Sequence, residues 1–550
     1  MSTRASIVLV CALLTGGAAL VPAAATDDPV QTLSAYDLNS SLVYVGIDDA
    51  GNATAAWSEA GALMVVRRRD GGKFVEPQSL AYGGVSEASL DVAPNGKAVL
   101  AFSGGMAGGE LMVAVRNGAS SDFGPPQVLV REEDPSFVSD AEAKISASGR
   151  AVVVWTGSTT GQPTRIMGAL SDSSGDFGTP EAIASGTNLQ NPQVDVDASG
   201  RALAAWDHTE ASAPNEIVIA TAGTTSDFGE PQVLETLEQG PGAPDVAVNA
   251  SGDAIVAHVD FTSEGEGVSR DKVEARYGSV DGTFGGFQNL TDPSTPTAAS
   301  EVEAAIDDGG RAAVMASLTV QGEHGVYVAV SDASGTFASG SMQAVSPHDR
   351  VGGPGVPRRS YAIAAGGGEF TAFWINDHDE DGNDNEVWRS TSSNGAFGAA
   401  HQLSREDDDS PDRAHGARSA GGDIVAGWLL FDDALRAQVS PVAPGPDPIF
   451  GDGGDDTLAG TDAGEAIYAA GGNDTVNAAG GGDDVFGEEG NDRLAGQAGN
   501  DALFGGSGRD TLIGGPGGDS FDGGGGRDTC VLSSRRERNR AKSCERIRVG

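Results

Sequence analysis

An acidic residue returns at every ninth position between Gly451 and Val531: Asp456, Glu465, Asp474, Asp483, Asp492, Asp501, Asp510, Asp519 and Asp528. Two residues after each stands Leu458, Ile467, Val476, Val485, Leu494, Leu503, Leu512, Phe521 or Cys530. Glycines crowd the front of each nonapeptide, where they permit positive φ and let carbonyl oxygens approach an ion that side chains would block. Carboxylates and carbonyls together make an oxygen-only ligand set with several ligands per ion. Ca²⁺ favours such a set, whereas Mg²⁺ takes fewer protein ligands in near-ideal octahedral geometry. The expected cofactor is therefore Ca²⁺, in several copies.

To hold these carboxylates the chain must form coils. The apolar residue of each unit gives a minimal strand facing a narrow core, so two nonapeptides make one coil and units two apart stack. Asp456, Asp474, Asp492, Asp510 and Asp528 then share one edge, and Glu465, Asp483, Asp501 and Asp519 the other. Seven gaps between stacked acidic turns are the ceiling on the ions held. The copies GEEGNDRLA, GQAGNDALF and GGSGRDTLI resemble the GGxGxDxUx repeat of the RTX (hemolysin-type) calcium-binding proteins. The resemblance implies a parallel β-roll over 451–531. The unit GTDAGEAIY departs from the pattern with Ala463 and Glu465, so the site shared with Asp483 is expected to be weak. Gly451 to Cys530 holds sixteen Asp and Glu against Arg493, Arg509 and Arg527. With so little apolar area to offset chain entropy, the segment is expected to be a disordered polyanion without metal and a folded roll with it. A flexible Gly/Asp linker would not keep an apolar position in phase.

The N-terminus carries Arg4, an apolar stretch from Ile7 to Val21 and a small-residue run ending at Ala25, which reads as a secretory signal over residues 1–25. No later stretch is long and apolar enough to span a bilayer, so the mature chain is expected to be secreted and extracellular. Cys11 belongs to the signal. Cys530 and Cys544 remain as an even pair in an oxidising compartment, and a disulfide between them would contribute roughly 3 kcal/mol in the loop-entropy model. A formal charge of -45 excludes nucleic acid as a partner, because phosphates need a basic surface. The one basic tract, Arg535 to Arg548, falls in a C-terminal cap over 532–550.

Residues 26–440 repeat at a longer period of 45 to 58 residues, in which a Gly turn is followed six residues later by a usually bulky side chain: Gly51 with Trp57, Gly96 with Phe102, Gly149 with Trp155, Gly200 with Trp206, Gly252 with His258, Gly310 with Ala316, Gly368 with Trp374 and Gly422 with Trp428. The flanking text alternates apolar and polar, as in VDVDASGRALAAW, which is strand, tight turn, strand. A Phe landmark, followed by Gly in five of its seven copies, comes next at Phe74, Phe123, Phe177, Phe228, Phe284, Phe337 and Phe397. Four strands per unit is a propeller blade. The fold expected is all-β, a β-propeller followed by the β-roll. Eight blades result if the orphan PVQTL at Pro29 to Leu33 completes the last unit, and seven with a stray hairpin is the alternative. The bulky landmarks are expected in the core. A stiff Pro-rich linker over 441–450 precedes the roll.

One propeller loop carries metal-type spacing. Asp377, Asp379, Asp381, Gly382 and Asn385 fit DxDxDGxx[DN], in which alternate side chains converge on one Ca²⁺. The loop resembles the calcium loops of integrin-like propeller blades, and a solvated acidic hairpin is the alternative. The seven histidines show no metal spacing, and no nucleophile elbow or cysteine nucleophile is present. The function expected is a secreted, calcium-binding, non-enzymatic protein whose propeller binds a glycan, cell-wall or protein ligand. The alternative is a secreted carbohydrate-active enzyme or lectin working through the propeller channel, with the roll aiding stability or export.

Overall fold

The computed structural model describes residues 43–549 except 60–61, 69–76, 83–84, 105–109, 132–135, 160, 210–213, 226, 238, 263–268, 296, 321–322, 347–360, 378–384, 394, 399, 404–410, 423, 431–434, 441–448, 451–453, 462–465, 470, 482, 488, 500 and 534–540. The signal segment, the PVQTL segment, Phe74, Asp379, Asp381, the stretch 441–448 and Glu465 lie outside the described residues. Every element named below is a β-strand. Described residues up to Ser440 form one compact unit, and those from Ile449 form a second.

In the first unit the alternating text becomes eight successive antiparallel sheets. Their first strands are Val43–Ile47, Glu87–Val92, Ser136–Ile145, Leu189–Val196, Asp245–Val248, Thr297–Ile306, Tyr361–Gly366 and Pro411–Arg418. The first six sheets have four strands each in chain order, the seventh has five, and the eighth has three. Val43–Ile47 packs against Pro411–Arg418, and the Ala420 N–H donates to Asp49 Oδ1 at 2.9 Å, so the first sheet meets the eighth. This is a propeller.

Local chemistry explains the repeat. Asp197 Oδ1 accepts from the Ser199 and Arg201 N–H groups at 3.0 and 2.9 Å, an Asx turn that Gly200 completes at φ 90°. Asp48 does the same before Gly51, and Asp307 Oδ1 accepts from the Arg311 N–H around Gly310. The bulky landmarks are core: Trp57, Phe102, Trp155, Trp206 and Trp374 are no more than 1% exposed. The fourth strand begins after the Phe landmark, as in Gln127–Val130. Its Gln latches the neighbouring sheet: Gln78, Gln127 and Gln288 accept from the N–H of Phe123, Phe177 and Phe337 at 3.1, 3.0 and 2.7 Å. Each latch ties one sheet to the next.

In the second unit every nonapeptide supplies a short strand at its apolar position, and three of them add a two-residue strand at the turn, Glu489–Gly490, Ser507–Gly508 and Gly525–Gly526. Strands pair in parallel with those eighteen residues away: Leu458 with Val476, then Leu494, Leu512 and Cys530 on one face, and Ile467 with Val485, Leu503 and Phe521 on the other. Two six-stranded sheets result, and their apolar positions meet in one thin core. The roll starts upstream of the first nonapeptide, because Ile449–Phe450 pairs with Ala466–Tyr468. It also runs past the last. Ala541–Lys542 and Arg546–Val549 extend the two sheets, and a disulfide joins Cys530 to Cys544 with Cα atoms 5.9 Å apart. The basic tail thus adds strands to the roll as well as ending it.

Candidate functional site: carboxylate ladders in the roll

The eighteen-residue register places the acidic side chains one above another. On one edge the Asp456 N–H donates to Asp474 Oδ1 at 2.7 Å, Asp474 to Asp492 at 2.9 Å, Asp492 to Asp510 at 2.9 Å and Asp510 to Asp528 at 2.9 Å. On the other, Asp483 donates to Asp501 at 3.0 Å and Asp501 to Asp519 at 3.2 Å. Asp474, Asp483, Asp492, Asp501, Asp510, Asp519 and Asp528 are all buried, while Asp456 at the open end is half-buried. The structure therefore brings together every described acidic sixth position.

In Asp474, Asp492, Asp501, Asp510, Asp519 and Asp528 one carboxylate oxygen is spent on the ladder, and the other is what matters for a metal. Oδ2 of Asp501, Asp510 and Asp528 is buried with no hydrogen-bond partner. A buried carboxylate oxygen left without a donor is costly, and burial pushes all three carboxyls above their ordinary value, the backbone N–H they accept from pulling the other way. The space before these oxygens is lined by carbonyls and has no room for a side chain. A Cβ on Gly505 would lie 2.6 Å from Asp510 Oδ2 and 2.7 Å from the Gly523 carbonyl oxygen, and one on Gly496 would lie 2.3 Å from Asp501 Oδ2. Hard oxygen donors around orphaned charge fit Ca²⁺. Aspartates and glycine carbonyls would hold the ion, which supplies positive charge and binds stacked turns together.

Two contributors were not visible in the nonapeptide count. Glu545 continues the first ladder, accepting from the Asp528 N–H at 2.8 Å, although the tail has lost the nine-residue spacing. A second ladder runs through fifth positions. The Asn473 N–H donates to Asp455 Oδ1 at 2.7 Å, Asn491 to Asn473 at 3.1 Å and Arg509 to Asn491 at 3.1 Å. The recurring Asp or Asn before the sixth-position acid was its signal. In the propeller, Asp377 and Asn385 form the last cross-strand pair of their hairpin.

The propeller holds a second polar site. The first strands of its eight sheets surround a channel of about 750 Å³. Asp91, Lys144, Asp195 and Asp245 line it, and its acids stitch sheet to sheet: Asp91 accepts from the Ile145 N–H at 2.8 Å, Asp195 from Val248 at 2.7 Å and Asp245 from Ala304 at 2.6 Å. One edge N–H in each of three inner strands, Ser136–Ile145, Asp245–Val248 and Thr297–Ile306, is thereby satisfied. Burial raises Asp195 to about 7 and Asp245 to about 6, against the pull of Lys144 and those N–H groups. Burial alone would depress Lys144, but Glu142, Asp91, Asp195 and Asp245 outweigh it and hold the ammonium above its usual value.

Propeller and parallel roll define the class of the chain, a two-part all-β protein. Within it, residues 444–476, 459–494 and 495–530 match the family described as RTX calcium-binding nonapeptide repeat (4 copies), so the C-terminal part carries RTX calcium-binding repeats. No curated protein matches the chain. Among solved structures, similarity is seen to a lectin from Burkholderia pseudomallei at 11% identity and TM-score 0.43, covering 66% of this chain and 100% of that one. A polysaccharide lyase described as an ulvan lyase matches at 11% identity and TM-score 0.42, over 64% of this chain and 91% of that one. The β-propeller domain of the Trilobed protease from Pyrococcus furiosus matches at 10% identity and TM-score 0.38, over 66% and 99%. Among the described residues no helix is long and apolar enough to cross a membrane.

Proposed function

We propose that this is an exported calcium-responsive binding protein, in which Asp474, Asp483, Asp492, Asp501, Asp510, Asp519 and Asp528 ligate Ca²⁺ and the roll folds as the ions bind. The observation that carries the reading is the set of buried, unpartnered Oδ2 atoms at Asp501, Asp510 and Asp528, which a folded roll tolerates only beside a cation. Asp456, at the open end of its ladder, and Glu465 complete the ligand set, and the Asp377, Asp379, Asp381 and Asn385 loop is a further calcium site on the propeller. The signal over residues 1–25 directs export into calcium-rich surroundings, and the propeller presents a face to a glycan, cell-wall or protein ligand. Calcium titration of the mature protein, followed by calorimetry and far-ultraviolet circular dichroism, tests this. Cooperative uptake with a gain of β-signal is expected, at roughly 0.1 to 1 mM as in extracellular modules. Changing Asp492, Asp501 and Asp510 together to Ala should abolish it; equal uptake by that variant would move the metal to the Asp377 loop.

A second reading, a carbohydrate-active enzyme, is favoured by the channel acids. A carboxyl raised to about 7 can give and take protons at neutral pH. Asp195 also binds its proton more tightly in the folded chain than in the unfolded one, so the folded state loses stability as pH rises from about 4 to 7. Asp195→Asn keeps an acceptor for Val248 and should flatten that dependence by up to about 1.4 kcal/mol per pH unit. If the channel cleaves glycans, the same variant should lose on the order of 100-fold in turnover while still binding. Unchanged turnover on a cleaved glycan would exclude Asp195 as the acid or base.

A further inference from the structure

His258 breaks the propeller's own repeat. It occupies the buried landmark position that Trp57, Phe102 and Trp155 occupy elsewhere, and those residues pair across their sheets with Met64, Met112 and Met167. His258 pairs instead with Glu274. From the adjacent sheet comes Glu235, which stands in its strand where Ala184 and Val130 stand in theirs. Three apolar positions of the repeat are thus replaced, at one junction between two sheets, by three groups able to ligate a metal.

Their geometry is that of a ligand set. One donor atom from each of Glu235, His258 and Glu274 lies within 4.8 Å of the others, and His258 Nε2 is 3.1 Å from Glu235 Oε2. His258 is 0% exposed, yet neither ring nitrogen makes a hydrogen bond, and Glu235 Oε2 is also buried without one. A buried imidazole ordinarily donates from one nitrogen and accepts at the other. Two cations stand alongside and act on Glu235 and Glu274 only through space, their close contacts lying elsewhere: Lys272 pairs with Asp260, and the Arg276 guanidinium lies 3.7 Å over the Phe287 ring. Donors around a tetrahedral zinc ion at about 2.1 Å stand roughly 3.4 Å apart, close to the His258–Glu235 separation. Glu235 and Glu274 are half-buried.

We propose that Glu235, His258 and Glu274 form a binding site for one divalent transition metal of the zinc class, separate from the calcium roll. An imidazole with two carboxylates selects such a metal over Ca²⁺, which takes oxygen alone. Three protein ligands leave a fourth position for water. The site ties two sheets of the propeller together through the ion.

The test is zinc titration of the full chain, stripped of transition metals by a chelator and then held in saturating calcium so that the roll is loaded. Calorimetry should show one Zn²⁺ per chain, and Zn²⁺ should raise the propeller's melting temperature. Glu274→Gln, which preserves shape, and His258→Trp, which restores the residue of the other sheets, should each weaken zinc on the order of 100-fold and abolish the melting shift. Absence of zinc uptake in the wild type overturns the proposal. So does unchanged uptake in Glu274→Gln, which decides the matter even if His258→Trp does not fold.

Discussion

Replacing Gly508 by alanine is expected to abolish calcium-induced folding of the roll without removing a single ligand atom. Gly508 is the fourth residue of its nonapeptide and has φ 145°, in the half of conformational space that L side chains avoid. A Cβ there would lie 1.5 Å from the Gly490 carbonyl oxygen, which belongs to the fourth residue of the turn stacked against it. The clash is with backbone, and backbone in a stacked coil cannot step aside without opening the ladder. Positive-φ strain and overpacking together amount to roughly 2 to 6 kcal/mol. Gly525, at a third position, is the control: a Cβ on it meets nothing nearer than 4.0 Å. Circular dichroism against calcium should show Gly525→Ala responding as wild type and Gly508→Ala not responding. Equal responses would mean that the fourth-position glycines are not sterically required.

That contrast shows how the roll could be read from its sequence. Third positions carry Glu489, Ala498, Ser507 and Pro516, whereas Gly472, Gly481, Gly490, Gly499, Gly508, Gly517 and Gly526 hold the fourth without exception in their units. A constraint that repeats every nine residues leaves a repeated mark, and both the ladder and the strand register follow from it. The Trp landmarks were legible for the same reason: periodic burial selects periodic bulk. Glu545 was not, because a tail that pairs Cys530 with Ile547 has left the eighteen-residue spacing and its acid enters the ladder through tertiary structure alone. Asp91, Asp195 and Asp245 fall in the polar half of alternating strands. Only closure of the ring turns that half toward a shared channel, where burial shifts the carboxyls. Glu235, His258 and Glu274 come from three strands of two sheets, and no spacing along the chain reports their meeting.

Chelation of calcium from the full-length protein should unfold the roll and leave the propeller intact. The two units draw on different sources of stability. Sheets of the propeller bury wide apolar faces, as in Ala151–Thr159, where Ala151, Val152, Val153, Val154 and Trp155 are all at most 1% exposed. Each nonapeptide buries little more than one apolar side chain, such as Leu494 or Leu512, beside a buried carboxylate that repels those above and below it. Every site kept at 100 times its dissociation constant contributes about 2.7 kcal/mol, so three occupied sites supply about 8 kcal/mol, comparable to the whole stability of a small domain. Removing the ions withdraws that term and restores the mutual repulsion at the same time. Hydrogen exchange should therefore show protection lost over 449–549 on chelation, while amides of Ala151–Thr159 exchange as slowly as before. Retained protection in the roll would mean that its thin core and the Cys530–Cys544 crosslink suffice without metal, and that calcium binds a structure already formed. The Oδ2 atoms argue for the other order, since a preformed roll without metal would keep them buried with no hydrogen-bond partner, a cost that a cation removes.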